Sequence, residues 1–323
     1  MRQRSKATGL AIAAGILATL SATGALADWP DDKPITIVHP YAAGSDAVMR
    51  LTAAGLEKRL GQTIIFENRP GAGGAIGTAY LARQAPDGYT LGTAYPGPTA
   101  NYINTRGNLP YDPHEDFSYI SRVSYSDIVL AVRKDFPADT LEELIAYMKA
   151  HPGEVSAGNN GPGSYGHMVE LAFRDMAGVD FKVVPYNGSN AIVTDMLSGS
   201  LDMTVDFVGD AYMKQLQAES IKPIAIASER RSALLPDTPT FREAGVEITA
   251  TPWGGIMAPK GVPKEIVEKI NLALKDVLAD PELIKRLAAI GQTAAYTSPD
   301  EFRQIVVGEE EVWRPIIKKY DIK

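Results

Sequence analysis

The 323-residue chain has no cysteine, which excludes disulfides, thiol nucleophiles and cysteine–zinc sites. Histidine is scarce as well: His39, His114, His151 and His167 stand singly, without metal-ligand spacing. There is no His-Glu-x-x-His string, no Gly-x-Ser-x-Gly elbow, no Ser-x-x-Lys pair and no Walker A loop. These gaps remove the signatures of zinc peptidases, serine hydrolases and P-loop enzymes. Beyond residue 27 no apolar stretch approaches the roughly 20 residues that span a bilayer. The 32 Lys and Arg form no cluster against 39 Asp and Glu, so neither nucleic acid nor an anionic membrane face is an expected partner. Repeats, low-complexity tracts and a Ser/Gly-rich linker are missing too. The lack of a linker points to two lobes joined by strands that cross between them.

What is present begins with a targeting segment. Arg2, Arg4 and Lys6 form a positive start, Gly9 to Leu20 is an uncharged apolar run, and Ala25-Leu26-Ala27 supplies a small-x-small cleavage pattern. Cleavage after about Ala27 predicts an exported, periplasmic protein with no membrane insertion afterwards. Removing those three basic residues leaves 29 basic against 39 acidic and a net charge of −10. Such an envelope gives an anion no global attraction, so any anion site must be built from local dipoles.

After Pro34, short β-rich runs alternate with helical stretches, the pattern of α/β units around mostly parallel sheets flanked by helices. Ile35-Thr36-Ile37-Val38 reads as a strand, and Asp46 to Leu60 as a helix stopped by Gly61. Thr140-Leu141-Glu142-Glu143 is a capping box that opens another helix. The tail from Pro263 reads as helices over roughly 263–279, 281–290 and 298–319. Crossings between lobes are expected near 123–128 and 248–254. They divide the mature chain into 28–125 and 251–323 for the first lobe, the latter helical, and 126–250 for the second.

Three glycine-bearing loops follow predicted strands: Tyr41-Ala42-Ala43-Gly44-Ser45-Asp46, Tyr95-Pro96-Gly97-Pro98-Thr99, and Gly158-Asn159-Asn160-Gly161-Pro162-Gly163-Ser164. In α/β lobes ligands bind beyond the carboxyl ends of strands, where helix N-termini offer unpaired N–H groups and a positive dipole end. His167 falls on the first turn after the third loop. Asn68 to Gly77 superficially resembles a dinucleotide fingerprint, but Ile76 stands where its third glycine should fall, so it reads as a structural turn. Asp202 and Asp206 share one strand face by period two, as an acid–base pair or as buried partners for donors. Trp253 and Trp313 read as core.

Pro34-Ile35-Thr36-Ile37-Val38-x-Pro40-Tyr41-Ala42-Ala43-Gly44 is similar to the opening of the Bug, or TctC-like, family of extracytoplasmic receptors of tripartite tricarboxylate transporters. Glu67-Asn68-Arg69-Pro70-Gly71-Ala72-Gly73-Gly74, Ala85-Pro86-Asp87-Gly88-Tyr89-Thr90-Leu91, Leu109-Pro110-Tyr111-Asp112-Pro113 and Val184-Pro185-Tyr186-x-Gly188 continue the resemblance in order. It implies a two-lobe periplasmic binding protein, a "Venus flytrap" closing on a small carboxylate ligand. It further implies delivery to the membrane subunits of the transporter, with no cofactor, no metal and no catalysis, by a monomer. Carried over, the ligand-binding residues are Tyr41, Ala43, Gly44, Ser45 and Asp46 in the first loop, with Tyr95 and Pro96 beside it. In the second lobe they are Asn159, Asn160, Gly161, Gly163, Ser164 and His167, with Tyr186 and Asp206 on the wall. The first loop is shorter than the family's, and Asn159-Asn160 replaces its usual Ser or Thr residues. A sensory receptor with the same closure, or a hydrolase on the same architecture, are the alternatives.

Overall fold

The computed structural model describes residues 29–43, 46–105, 108–186, 188–208 and 210–322. The targeting segment with its cleavage point, and the loop residues Gly44 and Ser45, lie outside the described residues. No helix among the described residues is long and apolar enough to cross a membrane.

The first half of the chain builds a parallel triplet. Strand β1 (Ile35–His39) leads through helix α1 (Ala47–Leu60) to β2 (Ile64–Asn68), and α2 (Ala75–Ala82) leads on to β3 (Thr90–Ala94). β1 pairs in parallel with both β2 and β3. Crossovers of this kind place helices against both faces of the strands, which is why Ile35, Ile37 and Leu91 are fully buried. After the short α3 (Tyr102–Thr105), β4 (Phe117–Tyr125) ends the first passage through this lobe.

The second lobe repeats the plan. β5 (Ile128–Arg133), α4 (Leu141–Ala150), β6 (Ser156–Asn159), α5 (Tyr165–Ala177), β7 (Lys182–Pro185), α6 (Ser189–Ser198), β8 (Met203–Phe207), α7 (Asp210–Gln217) and β9 (Ile221–Ile226) form its layers. Its sheet runs β7-β6-β8-β5-β9. Thr140 opens α4 with a reciprocal capping box to Glu143. The chain then returns to the first sheet through β10 (Trp253–Pro259), α8 (Lys264–Leu278), α9 (Pro281–Ala288) and β11 (Thr293–Ala294), completing the order β11-β4-β10-β3-β1-β2.

The expected parallel pairing is confined to β2-β1-β3 and β7-β6-β8; β4, β5, β9, β10 and β11 pair antiparallel. The physical reason is the crossing itself. A strand that carries the chain out of one lobe cannot also be the end of a βαβ crossover within it, so it returns beside its neighbour in the opposite sense. At the junction Ser126 N–H donates to Pro252 carbonyl at 2.9 Å, pairing the two crossing segments.

Helix α10 (Pro299–Lys319) is a third connection. Its capped start buries Phe302 and Val306 among first-lobe side chains, while Trp313 and Ile317 enter the second lobe's core. The carboxyl-terminal segment therefore serves both lobes, not the first alone as the sequence predicts. An amphipathic stripe carries no label for which sheet it will cover.

Candidate functional site

Between the lobes lies a cavity of about 550 Å³, within the roughly 300–1,000 Å³ of small-molecule sites. The crossing strands supply its floor: Ser124, Ser126, Pro252 and Gly254 face it. Among the described residues its wall holds no Asp, Glu, Lys, Arg or His. Tyrosine hydroxyls, serines, amides and helix ends must do the recognition.

The first-lobe wall rests on a neutral aromatic platform. His39 is fully buried, with Nδ1 3.0 Å from Thr93 Oγ1, and burial holds its imidazole down at about 4. Its ring lies 5.6 Å from those of Tyr41, Phe66 and Tyr95, and Tyr41 meets Tyr95 at 5.3 Å. Tyr41 and Tyr95 line the cavity above it. Asp46 precedes the first turn of α1 without capping it; its carboxylate accepts from Arg50 Nε at 2.7 Å and Asn68 Nδ2 at 3.1 Å. Asn68 Nδ2 also donates to Tyr41 carbonyl at 3.1 Å, so the Asn-Arg-Pro-Gly string buttresses the first loop from behind. Gly77 is part of that fit: a Cβ there would meet Arg69 carbonyl at 2.7 Å and Pro40 Cα at 2.8 Å. Val48, in the first turn of α1, faces the cavity.

The second-lobe wall centres on the N-terminus of α5. Ser164 caps this helix, its Oγ accepting from His167 N–H at 3.2 Å. Gly161 N–H donates to Asn159 Oδ1 at 2.9 Å and Gly163 N–H to His167 Nδ1 at 3.1 Å. Those two loop amides are therefore occupied within the loop. The N–H groups of Tyr165 and Gly166 are the first-turn donors left without an intrahelical partner, and they carry the positive end of the helix dipole.

Beneath this wall sit two buried acids. Asn159 Nδ2 donates to Glu170 Oε2 at 2.6 Å, and burial pushes that carboxyl up to about 8. Asn160 Nδ2 donates to Asp206 Oδ1 at 2.7 Å, while Ser189 Oγ and Tyr212 Oη donate to Oδ2 at 2.6 and 2.9 Å. Burial raises the Asp206 carboxyl, and these donors hold it back.

The structure thus brings Tyr41, Tyr95, Pro96, Asn160, Gly163 and Ser164 to the cavity wall. Ala43, Asp46, Asn159, Gly161, His167, Tyr186 and Asp206 are not on it. Asn159 and Asp206 are buried supports, Asp46 holds Arg50, and Tyr186 Oη donates to Asp195 Oδ2 at 2.7 Å. Asp202 and Asp206 are not an acid–base pair: Asp202 accepts from Arg133 Nε at 3.1 Å and Ser156 Oγ at 2.8 Å, in a network separate from that of Asp206. Wall residues not anticipated include Asn101, Tyr102, Tyr165, Phe207 and Gln292, and Trp253, expected as core, both buries its ring and faces the cavity. Tyr165 closes the wall toward α10, donating to Glu309 Oε1 at 2.5 Å, which Trp313 Nε1 also reaches at 2.6 Å.

A family model described as the tripartite tricarboxylate transporter family receptor matches residues 48–322. BugT of Bordetella pertussis is 33% identical over 314 residues, covering 96% of this chain and 94% of BugT. Among solved structures, an R. palustris protein with adipate is 32% identical with a TM-score of 0.75, over 91% of this chain and 99% of that one. MatC from Rhodopseudomonas palustris with bound malate is 30% identical with a TM-score of 0.70, over 89% and 99% of the two chains. With a two-sheet fold, an interlobe cavity and these matches in hand, the chain belongs to the tripartite tricarboxylate transporter receptor family of solute-binding proteins.

Proposed function

We propose that this protein is a periplasmic receptor that captures a small carboxylate in the interlobe cleft, catalyses no reaction, and hands its cargo to the membrane subunits of a tripartite tricarboxylate-type transporter. The observation that carries the reading is a wall free, among the described residues, of charged side chains, on which α1 and α5, helices of 14 and 13 residues from opposite lobes, both direct their first turns. An anion there meets N–H dipoles without the desolvation cost of a buried lysine or arginine. Each hydrogen bond to a charged group contributes about 1.5–3 kcal/mol, so three or four reach micromolar affinity after ordering costs. The donors we assign are the amides of Tyr165 and Gly166 and the hydroxyl of Ser164, whose oxygen accepts from His167 while its proton is free for a ligand.

Dicarboxylates fit a cleft with one helix end on each lobe, and the adipate and malate bound by the two R. palustris relatives support that class. Bridging both helix ends stabilises the closed arrangement of the lobes. A thermal-shift screen of mono-, di- and tricarboxylates, aromatic acids and acidic amino acids tests this. A C4–C6 diacid is expected to raise the melting temperature and change Trp253 fluorescence. Stabilisation by neutral sugars and by no acid would refute it.

A further inference from the structure

The crossing segments have a second face. Ser124 and Ser126 look into the ligand cleft, whereas Tyr125 and Asp127 line a concavity of about 660 Å³ on the other side; Pro252 and Gly254 likewise face the cleft, Thr251 lines the concavity, and Trp253 between them borders both. That alternation is the period of two of extended chain, so the two hollows lie back to back across the junction. Arg122 of β4 and Arg230, just beyond β9, enter the rear hollow from opposite lobes.

Neither arginine has an acidic partner within ion-pair distance among the described residues. Arg122 Nε is buried with no hydrogen-bond partner, and its guanidinium lies 5.4 Å from the Tyr125 ring centre. Arg230 donates to Tyr125 Oη at 2.9 Å. Burial holds the Arg122 guanidinium below its usual range, and the charge of Arg230 adds to this. Three carboxylates share the wall: Glu309 accepts from Tyr165 and Trp313, burial raises Asp127 against the pull of Ser232 and Arg230, and Glu229 attracts both arginines without coming within ion-pair distance of either. Two like charges thus enter one hollow from opposite lobes, one of them with a buried idle donor that none of the wall's carboxylates reaches.

We propose that this rear hollow is a second anion site, in which Arg122 and Arg230 together coordinate a small inorganic oxyanion of the phosphate or sulfate class. A tetrahedral oxyanion presents acceptors to two planar forks at once. Held there, it ties the lobes together on the face opposite the cleft and favours the lobe angle seen in this structure.

Titration calorimetry with inorganic phosphate on the full chain, at fixed ionic strength balanced with chloride, tests the site. One equivalent is expected to bind, with affinity falling about tenfold or more in Arg122→Gln and in Arg230→Gln. Arg230 is exposed, so its replacement leaves the core intact if Arg122→Gln fails to fold. Ser164→Ala is expected to leave phosphate affinity unchanged. No binding by the wild type, equal binding by Arg230→Gln, or a loss confined to Ser164→Ala, which would put phosphate in the ligand cleft, overturns the proposal. So would displacement by an equal concentration of acetate.

Discussion

Beneath Tyr41 and Tyr95 the first lobe places His39, an imidazole that burial keeps neutral, and packs it among aromatic rings. Beneath Asn160 and Ser164 the second lobe places Glu170 and Asp206, carboxyls that burial raises and that polar neighbours hold. Among the described residues the surfaces presented to the cleft are alike in carrying no charged side chain, yet one rests chiefly on packed rings and the other on a hydrogen-bond network. Packed rings have a single arrangement and respond little to conditions. Polar networks respond to protonation and to the loss of any one member. The second lobe should therefore be the tunable half of the site.

The largest effect expected is steric. A Cβ on Gly166 would run into the Val205 carbonyl where α5 seats on β8, so Gly166→Ala should cost about 3 kcal/mol or more in urea unfolding. Gly77→Ala is the matching change in the first lobe. Equal losses in both would show that the two walls are positioned with equal strictness, whereas a silent Gly166→Ala would contradict the packing described for α5.

Next come opposing pH slopes. Glu170 titrates near 8 folded against about 4.5 when exposed. Its folded form keeps a proton that the unfolded chain releases, so stability is full below about pH 4.5 and falls as pH rises toward 8. His39 titrates near 4 folded against about 6.5 unfolded, so its contribution is full above about pH 6.5 and is lost as pH falls toward 4. Glu170→Gln should flatten the alkaline limb by the order of 2 kcal/mol and leave the acid limb in place, as read from chemical denaturation across pH. An unchanged alkaline limb would remove Glu170 as its source.

A smaller effect separates capping from binding. Ser164→Ala and Thr140→Ala each remove a helix cap, and each should cost about 1 kcal/mol of stability. Only Ser164→Ala should also weaken ligand binding, by about 1 kcal/mol or more, because only Ser164 lies on the cleft. Smallest is Gly308→Ala in α10. A Cβ there meets nothing within 4 Å, and the residue stands between the part of the helix held by the first lobe and the part held by the second. The change should add about 0.5–1 kcal/mol of stability while slowing ligand-induced closure in stopped-flow fluorescence.

How much of this was legible in the sequence depends on range. β1, α1 with its Gly61 stop, the capping box of α4 and the three tail helices follow from local pattern, and they fall within a few residues of the expected limits. The antiparallel strands β4, β5 and β10 were legible only as crossings, because their partners are set by pairing between segments far apart in the chain. At the site, Tyr95, Pro96 and Ser164 were readable because they directly follow strands or open a helix. Asn159 and Asn160 show the limit: adjacent residues of extended chain point to opposite sides, one into the core and one onto the cleft, and only register tells which. Gln292 and Tyr102 reach the cleft through long-range packing that no short motif records.

The claim on which the account turns is that backbone and hydroxyl donors at facing helix ends, not charged side chains, hold an acid in the cleft. A crystal structure of the complex with the best-stabilising diacid tests it most directly. It should show one carboxylate within hydrogen-bond distance of the Tyr165 and Gly166 amides and the Ser164 hydroxyl, with the other toward the first turn of α1. An acid bound through a lysine or arginine, or seated away from α5, would contradict it.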